Sequence, residues 1–329
     1  MESFSVERKR TFRTSIFPAD RNAVIYDIDI RNLVKTYGGV KAVDGLNLHV
    51  EEGEMMGLIG PDGAGKTSTL RMLCGLVAPD SGDCFIAGKH ALRDSGAVRS
   101  IAGYMPQRFS LYPDLSVEEN LRFFADLFQV ERTEREKRLA RLLEFSRLSP
   151  FSRRKAAALS GGMKQKLALS CTLIHTPRVL LLDEPTTGVD PVSRREFWDI
   201  LGELKQQGVT LLVTTPYMDE AAKCDRVALM DRGRILHTAR PDALAGLFQH
   251  TLVELTCENH VAAARALSAS ARFVNVQSYG DRIHVSGTGT AEQVSGQAKS
   301  VLAESGLKVG GFKRVQPSIE DVFVELLSR

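Results

Sequence analysis

The sequence of 329 residues lacks any apolar run long enough to cross a lipid bilayer. A membrane-spanning helix needs about 18 or more consecutive apolar residues. Near the N-terminus, basic residues between Arg8 and Arg13 break up the continuous apolar segment that a secretory signal peptide requires. We therefore expect the chain to work from outside the bilayer, with residues 1–23 forming a flexible basic tail.

The sequence also lacks a strong charge of one sign and any closely paired cysteines. The 43 basic and 40 acidic residues give a net charge of +3. This balance argues against nucleic acid or an anionic membrane as the principal partner. The five cysteines form no C-x-x-C pair, which favours a reducing compartment in which the thiols are small core residues. The length suggests roughly two domains.

Predicted strands and helices alternate from Ala23 to about Arg234, which indicates an α/β fold. Residues 24–30 and 46–50 alternate between apolar and polar side chains like half-buried strands, with turns expected at Gly38-Gly39 and Asp44-Gly45. Three short, continuous apolar runs are typical of the central strands of a parallel sheet. These runs are Met55–Ile59, Val179–Leu182 and Val209–Val213.

Helices are predicted between these strands, and the pattern of apolar and polar residues changes after the last of them. The predicted helices are Lys66–Leu76, Val117 to about Gln129 after a capping box of Ser116 and Glu119, and Pro191 to Gly208. The region from Arg108 to about residue 160 shows no strand signal and predicts a helical insertion. A smaller α+β domain is predicted at 245–329, with strands at Leu252–Cys257, Arg272–Gln277 and Arg282–Val285 and helices at Ala262–Leu267 and Ala291–Ala303.

Residues Gly60–Thr67, which read GPDGAGKT, match the phosphate-binding pattern G-x-x-x-x-G-K-[ST] between a predicted strand and a predicted helix. Glycines let backbone N–H groups turn inward around phosphate oxygens, and the helix N-terminus adds partial positive charge. Lys66 can reach the β- and γ-phosphates, and Thr67 offers a hydroxyl to Mg²⁺. We expect phosphate contacts from Gly60, Pro61, Asp62, Gly63, Ala64, Gly65, Lys66, Thr67 and Ser68. The pattern alone fits kinases, GTPases and ATPases, but no Asn-Lys-x-Asp guanine-reading sequence is present.

Two adjacent acids stand at the end of the apolar run VLLLDE. At the carboxyl end of a strand beside the phosphate loop, Asp183 is placed to hold Mg²⁺ and Glu184 to polarise an attacking water as general base. Adjacent acids at a strand end are common in proteins without such a role, so this motif alone decides little.

The segment LSGGM, from Leu159 to Met163, opens a predicted helix. Ser160 followed by two glycines leaves N–H groups exposed at the helix N-terminus, which makes a potential anion site. An ordinary helix N-cap explains the same residues.

The order of these motifs resembles that of the ATP-binding cassette (ABC) ATPases, over about residues 24–240. The order is the phosphate loop, Gln107 at the entry of the helical insertion, LSGG and the acidic strand end. The resemblance implies a P-loop cassette with a RecA-like parallel core, an antiparallel β subdomain and a helical insertion. It implies that Tyr37 stacks on adenine and that Gln107 senses Mg²⁺ and the attacking water.

The resemblance also implies ATP and Mg²⁺ as cofactors and a head-to-tail pair of cassettes. Ser160, Gly161 and Gly162 would contact the γ-phosphate held by the opposite protomer, and Asp190 would cross the interface. A polytopic permease would be a separate chain, with this subunit peripheral at the cytoplasmic face of the inner membrane. The segment from Arg108 to Leu115 would receive a permease helix, although an aromatic cluster at such a boundary can equally be internal packing.

The final residues, PSIEDVFVELLSR from Pro317 to Arg329, resemble the tail of bacterial exporter subunits related to the daunorubicin-resistance ATPases. This resemblance implies a multidrug exporter and a regulatory or dimerising C-terminal domain, as opposed to a purely structural addition. The alternatives are a soluble cassette ATPase without a permease and a nucleotide-gated dimerisation switch with little turnover.

Proline stands at position 216, where family members usually carry a histidine that contacts the γ-phosphate. Proline has no side-chain donor and no N–H, so it cannot make that contact. Two hypotheses follow: the remaining donors suffice for slower hydrolysis, or this chain is mainly a binding switch beside an active partner cassette.

Overall fold

The computed structural model describes residues 26–108 and 111–327. The predicted basic tail 1–23, residues 24 and 25 of the first predicted strand and Phe109 of the aromatic segment lie outside the described residues.

Fourteen strands are present in the described residues, in three sheets. They are β1 (Tyr26–Tyr37), β2 (Val40–Glu51), β3 (Met55–Ile59), β4 (Ser81–Ile86), β5 (Lys89–His90), β6 (Ala102–Met105), β7 (Val179–Asp183), β8 (Thr210–Thr215), β9 (Arg226–Asp231), β10 (Arg234–Ala239), β11 (Thr251–Cys257), β12 (Asn275–Tyr279), β13 (Arg282–Gly287) and β14 (Val309–Arg314).

Ten α-helices are found in the same part of the chain. They are α1 (Lys66–Leu73), α2 (Ser95–Ile101), α3 (Val117–Leu127), α4 (Arg132–Phe145), α5 (Gly161–Leu173), α6 (Pro191–Gln206), α7 (Pro241–Leu244), α8 (His260–Ser268), α9 (Ala291–Glu304) and α10 (Ile319–Leu327). Short 3₁₀ helices occur at Ser149–Phe151, Ala156–Ala158, Met218–Lys223 and Ala245–Leu247.

The central sheet has the strand order β10-β9-β3-β8-β7-β6, and its strands are parallel except for β10. All residues of β3, β7 and β8 are buried, as continuous apolar runs predict for a sheet covered on both faces. The predicted α/β core is therefore confirmed. Because parallel strands end at the same edge, the loop after β3 and the two acids at the end of β7 meet there.

The second sheet is antiparallel, in the order β2-β1-β4-β5. Gly38-Gly39 turns between β1 and β2, as predicted. The turn predicted at Asp44-Gly45 is wrong: both residues lie inside β2, where the pairing register with β1 shifts. Gly45 has a φ of 68°, so the glycine there permits a bulge within the strand, not a reversal.

The insertion between β6 and β7 is helical in its described residues, as predicted. Ser116 and Glu119 form the expected capping box at the start of α3, and that helix ends at Leu127, two residues before the predicted end. Apolar side chains of α3, α4 and α5 pack into a core of their own, separate from the two cores that flank the central sheet.

The third sheet, in the order β12-β13-β11-β14, is fully antiparallel. With α8 and α9 it follows the chain order β-α-β-β-α-β of ferredoxin-like units. The sequence patterns placed β12 three residues too early and missed β14, whose two glycines weaken the strand signal. Beyond β14, α10 packs onto the core beside the central sheet through Phe323.

Other boundaries differ by one turn or less. Helix α1 ends at Leu73, three residues before the predicted end, and β8 is shifted one to two residues toward the C-terminus of its predicted run. All five cysteines are free and buried, as expected for core residues. Burial raises the pKa of the Cys84 thiol to about 12. Among the described residues, no helix combines the length and the apolar character that crossing a bilayer requires.

Candidate functional site

The phosphate loop connects β3 to α1 at the carboxyl edge of the central sheet. Gly63 and Gly65 have φ values of 79° and 107°, a backbone region that L side chains rarely adopt. A Cβ on Gly65 would lie 2.1 Å from the carbonyl oxygen of Ala42. The glycine is therefore needed for two reasons: it allows the turn into α1, and it allows the close approach of the neighbouring strand.

Lys66 is 3% exposed and its ammonium group lies inside the loop. Its Nζ donates to the carbonyl oxygens of Gly60, at 2.7 Å, and Pro61, at 3.0 Å. The same Nζ lies 3.2 Å from Oε1 of Glu184. A buried ammonium that faces both the loop and the acidic strand end is placed to meet phosphate oxygens entering between them.

Asp183 ends β7 and receives donors from three directions. Thr67 Oγ1 donates to its Oδ1 at 3.0 Å, Thr214 Oγ1 donates to the same oxygen at 2.9 Å, and the Tyr104 hydroxyl donates to Oδ2 at 3.3 Å. Burial, followed by the nearby Asp183, raises the pKa of Tyr104 well above its ordinary value, so its hydroxyl stays neutral and donates. A hydroxyl and a carboxylate in contact at the loop are hard oxygen ligands of the kind Mg²⁺ prefers.

Glu184 follows Asp183 and is 6% exposed. Its φ of 49° lies in the left-handed region, where a residue with a side chain is strained. Its backbone N–H donates to the carbonyl oxygen of Thr214, at 3.1 Å, and to the hydroxyl oxygen of the same residue, at 3.0 Å. Gln107 Nε2 donates to Glu184 Oε2 at 2.8 Å, so the residue at the entry of the helical insertion contacts the predicted general base directly.

A cavity of about 380 Å³ joins these parts. It is lined by Ala42, Asp62, Gly63, Ala64, Gly65, Lys66, Thr67, Ser68, Gln107 and Glu184. Tyr37 lies at the end of β1, 45% exposed, with the Lys35 ammonium 5.5 Å from its ring centre. An exposed aromatic face of this kind is available for stacking.

The LSGG segment forms the N-terminus of α5 and does not line this cavity. Ser160 caps the helix, because its Oγ accepts a hydrogen bond from Met163 N at 3.3 Å. A Cβ on Gly162 would lie 2.3 Å from Cβ of Ser193 in α6. Gly162 is thus required by helix packing. A Cβ on Gly161 would lie 3.8 Å from the carbonyl oxygen of Gly188, an ordinary contact, so packing does not require a glycine there.

Asp190 caps α6 and is likewise outside the cavity lining. Its Oδ1 accepts from the backbone N–H groups of Val192, at 3.1 Å, and Ser193, at 2.9 Å. Hydrogen bonds from Ser193 and then Val192 hold the pKa of Asp190 below its ordinary value. The capping role is therefore shown, and a role across a dimer interface stays a prediction.

Pro216 follows β8 directly and is half-buried. The ring of the next residue, Tyr217, packs under the guanidinium of Arg194, 4.1 Å from the ring centre. The ring of Tyr217 is therefore engaged with α6.

Sequence patterns missed Tyr104 and Thr214 as members of this site. Both lie within strands of the central sheet, where their hydroxyls reach Asp183 only because β6, β7 and β8 are adjacent. The polar residues in the runs AGYM and TLLVTT could have drawn attention to these two positions. These runs do not predict which strands are neighbours in the sheet, so they could not show that the two hydroxyls reach Asp183.

Comparisons with known proteins agree with this geometry. A family model described as ABC transporter matches residues 43–187. The chain is 49% identical over 219 residues to the probable multidrug ABC transporter ATP-binding protein YbhF of Escherichia coli, an alignment that covers 66% of this chain and 38% of that protein. It thus spans well under half the length of that relative.

Other relatives align over more of their length. The Nod factor export ATP-binding protein I of Paraburkholderia xenovorans is 42% identical over 218 residues, covering 66% of this chain and 72% of that protein. The linearmycin resistance ATP-binding protein LnrL of Bacillus subtilis is 32% identical over 311 residues, covering 92% and 98%.

Solved structures share the fold. A cbiO1 protein of Clostridium perfringens, described as part of an ABC transporter complex, has a TM-score of 0.62 and 27% identity, covering 67% of this chain and 91% of that one. The cassette MJ0796, solved as a dimer in a post-hydrolysis state bound to ADP and phosphate, has a TM-score of 0.59 and 27% identity, covering 65% and 98%. Site geometry, family model and relatives agree, and the chain belongs to the ABC transporter family as an ATP-binding protein with the P-loop ATPase fold.

Proposed function

We propose that the chain hydrolyses ATP in a head-to-tail pair of cassettes and so drives export through a separate permease. The observation that supports this most is the contact of Thr67 with Asp183, and of Glu184 with both Lys66 and Gln107, at one edge of the central sheet. The groups that would bind phosphate, hold the metal ion and act as the base lie within hydrogen-bond distance of one another. Phosphoryl transfer to water requires such an arrangement.

The phosphate loop would bind the triphosphate through its backbone N–H groups, from Gly60 to Ser68. The N-terminus of α1 adds positive potential at the same place. Lys66 would exchange its contacts with the loop carbonyls for contacts with phosphate oxygens. Tyr37 would present its exposed ring to the adenine base.

Thr67, Asp183 and Gln107 would hold Mg²⁺, which when bound neutralises charge that develops on the β- and γ-phosphate oxygens. The donors on Asp183 from Tyr104 and Thr214 fix the rotation of its carboxylate. Glu184 would accept a proton from the attacking water while Gln107 helps to orient that water. Since Glu184 is buried and held by its backbone, its carboxylate has little freedom to point elsewhere.

The second cassette would complete each nucleotide site. Ser160, Gly161, Gly162 and Asp190 are candidate contacts to nucleotide, yet none lines the cavity around the phosphate loop of the same chain. A partner in head-to-tail arrangement would bring its helix N-terminus to that cavity, where its N–H groups suit a γ-phosphate. The dimeric form of MJ0796 supports such a pairing.

The permease would dock beside Gln107. A second cavity, of about 370 Å³, is lined there by Gln107, Arg108, Leu111 and Pro113 together with residues of α5. Since Gln107 also touches Glu184, an element seated in this cavity would sense the hydrolysis site through one side chain. The export direction is proposed from the name of one relative, the Nod factor export ATP-binding protein I. A peripheral position at the cytoplasmic face of the inner membrane is proposed with it, because this is where the chain would meet both ATP and a permease.

A second candidate function is a nucleotide-gated dimerisation switch with little turnover. Pro216 favours it, because this residue directly after β8 offers no donor toward a γ-phosphate. ATP binding without hydrolysis, even beside the permease, would identify the switch. For the C-terminal unit we propose regulation, because α10 packs near the 3₁₀ helix that follows Pro216.

The proposal predicts that Glu184→Gln removes ATP turnover and retains ATP binding. The amide keeps the size of the side chain but cannot accept the proton from water, so we expect turnover to fall by about 10²-fold or more. The measurement is phosphate release and ATP affinity for the full chain purified with any membrane protein that copurifies with it. Turnover within a few-fold of the unmodified chain, or no copurifying polytopic membrane protein, would contradict the proposal.

A further inference from the structure

Glu220 is a buried carboxylate next to the site that the proposed mechanism does not use. It lies in the 3₁₀ helix Met218–Lys223, five residues after the end of β8, and is 3% exposed. Removing a carboxylate from water costs free energy unless its oxygens are hydrogen-bonded or paired with a cation. Its partners therefore show what the residue does.

Each carboxylate oxygen of Glu220 accepts a hydrogen bond from a hydroxyl group on a different segment of the chain. Thr186 Oγ1 donates to Oε1 at 2.6 Å, and Thr215 Oγ1 donates to Oε2 at 2.5 Å. Thr186 lies two residues after Glu184, and Thr215 is the last residue of β8, next to Pro216. Both threonines are 1% exposed, so in the folded chain Glu220, and not bulk water, is their acceptor.

A third segment reaches the same carboxylate. Arg194, in the second turn of α6, has its Nε 3.7 Å from Glu220 Oε1, and its guanidinium covers the ring of Tyr217. Thr215 Oγ1 in turn accepts from Tyr217 N at 3.0 Å. One carboxylate thereby joins the segment after Glu184, the segment around Pro216 and the helix that Asp190 caps.

We propose that Glu220 is a positioning residue for ATP hydrolysis, an inference that rests on the proposed function. It fixes the segment that leaves Glu184 against the segment that holds Pro216. The strained backbone of Glu184, with φ at 49°, needs neighbours that hold it in place.

The phosphate loop makes no contact with Glu220 among the hydrogen bonds of the described residues. Loss of the carboxylate should therefore change the hydrolysis step and leave ATP binding unchanged. We expect Glu220→Ala to lower kcat by about tenfold to a hundredfold, since small misplacements of a catalytic group have effects of this size. The ATP dissociation constant should stay within about twofold.

Glu220→Gln should recover most of the turnover, because its amide oxygen can accept from Thr215 while its NH₂ donates to the Thr186 hydroxyl. Glu54→Ala is the matched control. Glu54 is also buried and also pairs with an arginine, Arg226, but it precedes β3 at the opposite edge of the sheet from the phosphate loop. Its loss tests what removing a buried carboxylate does to folding alone.

The experiment measures kcat, ATP affinity and Tm for the full chain and these variants. No turnover by the unmodified chain would contradict the proposed function itself. Turnover by the unmodified chain, with kcat of Glu220→Ala unchanged or lowered no more than in Glu54→Ala, would overturn the positioning role. So would a Glu220→Gln variant as inactive as Glu220→Ala.

If Glu220→Ala fails to fold, Thr186→Val and Thr215→Val decide the question. Each removes one of the two threonine hydrogen bonds to Glu220 and preserves the shape of the threonine; Thr215→Val also removes the acceptor of Tyr217 N, so Thr186→Val is the cleaner of the two variants. Each should lower kcat at constant ATP affinity, and the double variant should lose less than the product of the single effects, since both act through one carboxylate. Unchanged kcat in both single variants would overturn the proposal.

Discussion

At the scale of single residues, the site depends on a few side chains that lie at the ends of strands or at the start of a helix. Asp183 ends the buried strand β7 and Glu184 follows it. Lys66 and Thr67 begin a helix, and Gln107 follows β6. Sequence motifs identified each of them. What they could not supply were Tyr104, Thr214 and Glu220, whose hydroxyl or carboxylate groups reach the site from strands and turns far apart in the sequence.

Pro216 gives the sharpest prediction at this scale. Pro216→His should raise ATP turnover of the assembled complex by about tenfold or more, because it adds a donor near a γ-phosphate, and removing one such donor elsewhere costs 10²–10³ in rate. Phosphate release under saturating ATP is the measurement.

Pro216→Ala is the control for that variant, since it removes the ring without adding a donor. Equal turnover in the alanine and histidine variants would show that backbone freedom, not the donor, limits the rate. Turnover of the histidine variant no higher than that of the unmodified chain would argue against a missing-donor explanation.

At the scale of elements, α10 links the C-terminal unit to the region after β8. Phe323 packs in the same apolar core as Ala221 of the 3₁₀ helix Met218–Lys223 and Leu244 of α7. On another side of α10, Asp321 accepts from Ser318, and its Oδ1 lies 2.9 Å from His284 Nδ1 in β13. The helix thus joins the ferredoxin-like sheet to the segment that follows Pro216.

The contact between His284 and Asp321 should make this attachment depend on pH. Its hydrogen bond with Asp321 raises the pKa of His284 above the ordinary value, against the opposing effect of burial. Burial alone would raise the pKa of Asp321, but hydrogen bonds from His284 and Ser318 outweigh it and hold that pKa low. The pair is therefore charged below the ordinary histidine pKa of about 6.5, and its stabilisation is lost as pH rises through the higher folded pKa.

We expect His284→Gln to lower the free energy of unfolding, and to lower it more at a pH of about 6 than at a pH of about 8.5. The loss at the lower pH should be larger by about 1 kcal/mol. Thermal unfolding of both chains at the two pH values measures this. His49→Gln is the control: His49 is exposed in β2 and packs against the Tyr26 ring at 4.5 Å. A stability difference for His284→Gln that is constant with pH would contradict the charged pair.

Patterns of single elements predicted only part of the central sheet, since β3, β7 and β8 were predicted and β6, β9 and β10 were not. The buried runs that became β3, β7 and β8 needed only their own apolar residues to be recognised. Asp44-Gly45 was misjudged as a turn, because a glycine with positive φ serves a bulge as well as a reversal. Strand β14 and the packing of α10 are set by tertiary contacts, and neither leaves a clear local pattern.

At the scale of the whole molecule, a complete nucleotide site would take residues from two chains. Ser160, Gly162 and Asp190 are ordered by capping and packing within one chain, yet the cavity at the phosphate loop is lined without them. A closed symmetric pair, in which each chain presents one surface to the other's loop, satisfies both observations. The C-terminal unit would then sit where it can modulate the pair through α10.

Complementation between two inactive variants tests this claim most directly. Lys66→Ala disables the phosphate loop and Ser160→Arg disables the LSGG segment, so neither variant alone should hydrolyse ATP or retain it after gel filtration. In a mixed head-to-tail pair, one site combines both lesions and the other has none. Random pairing makes half of the dimers mixed, so the two-chain site predicts recovery toward about a quarter of unmodified turnover and, with a non-hydrolysable ATP analogue in place of ATP, about one nucleotide retained per mixed dimer. A mixture that is no more active and retains no more nucleotide than the separate variants would contradict it.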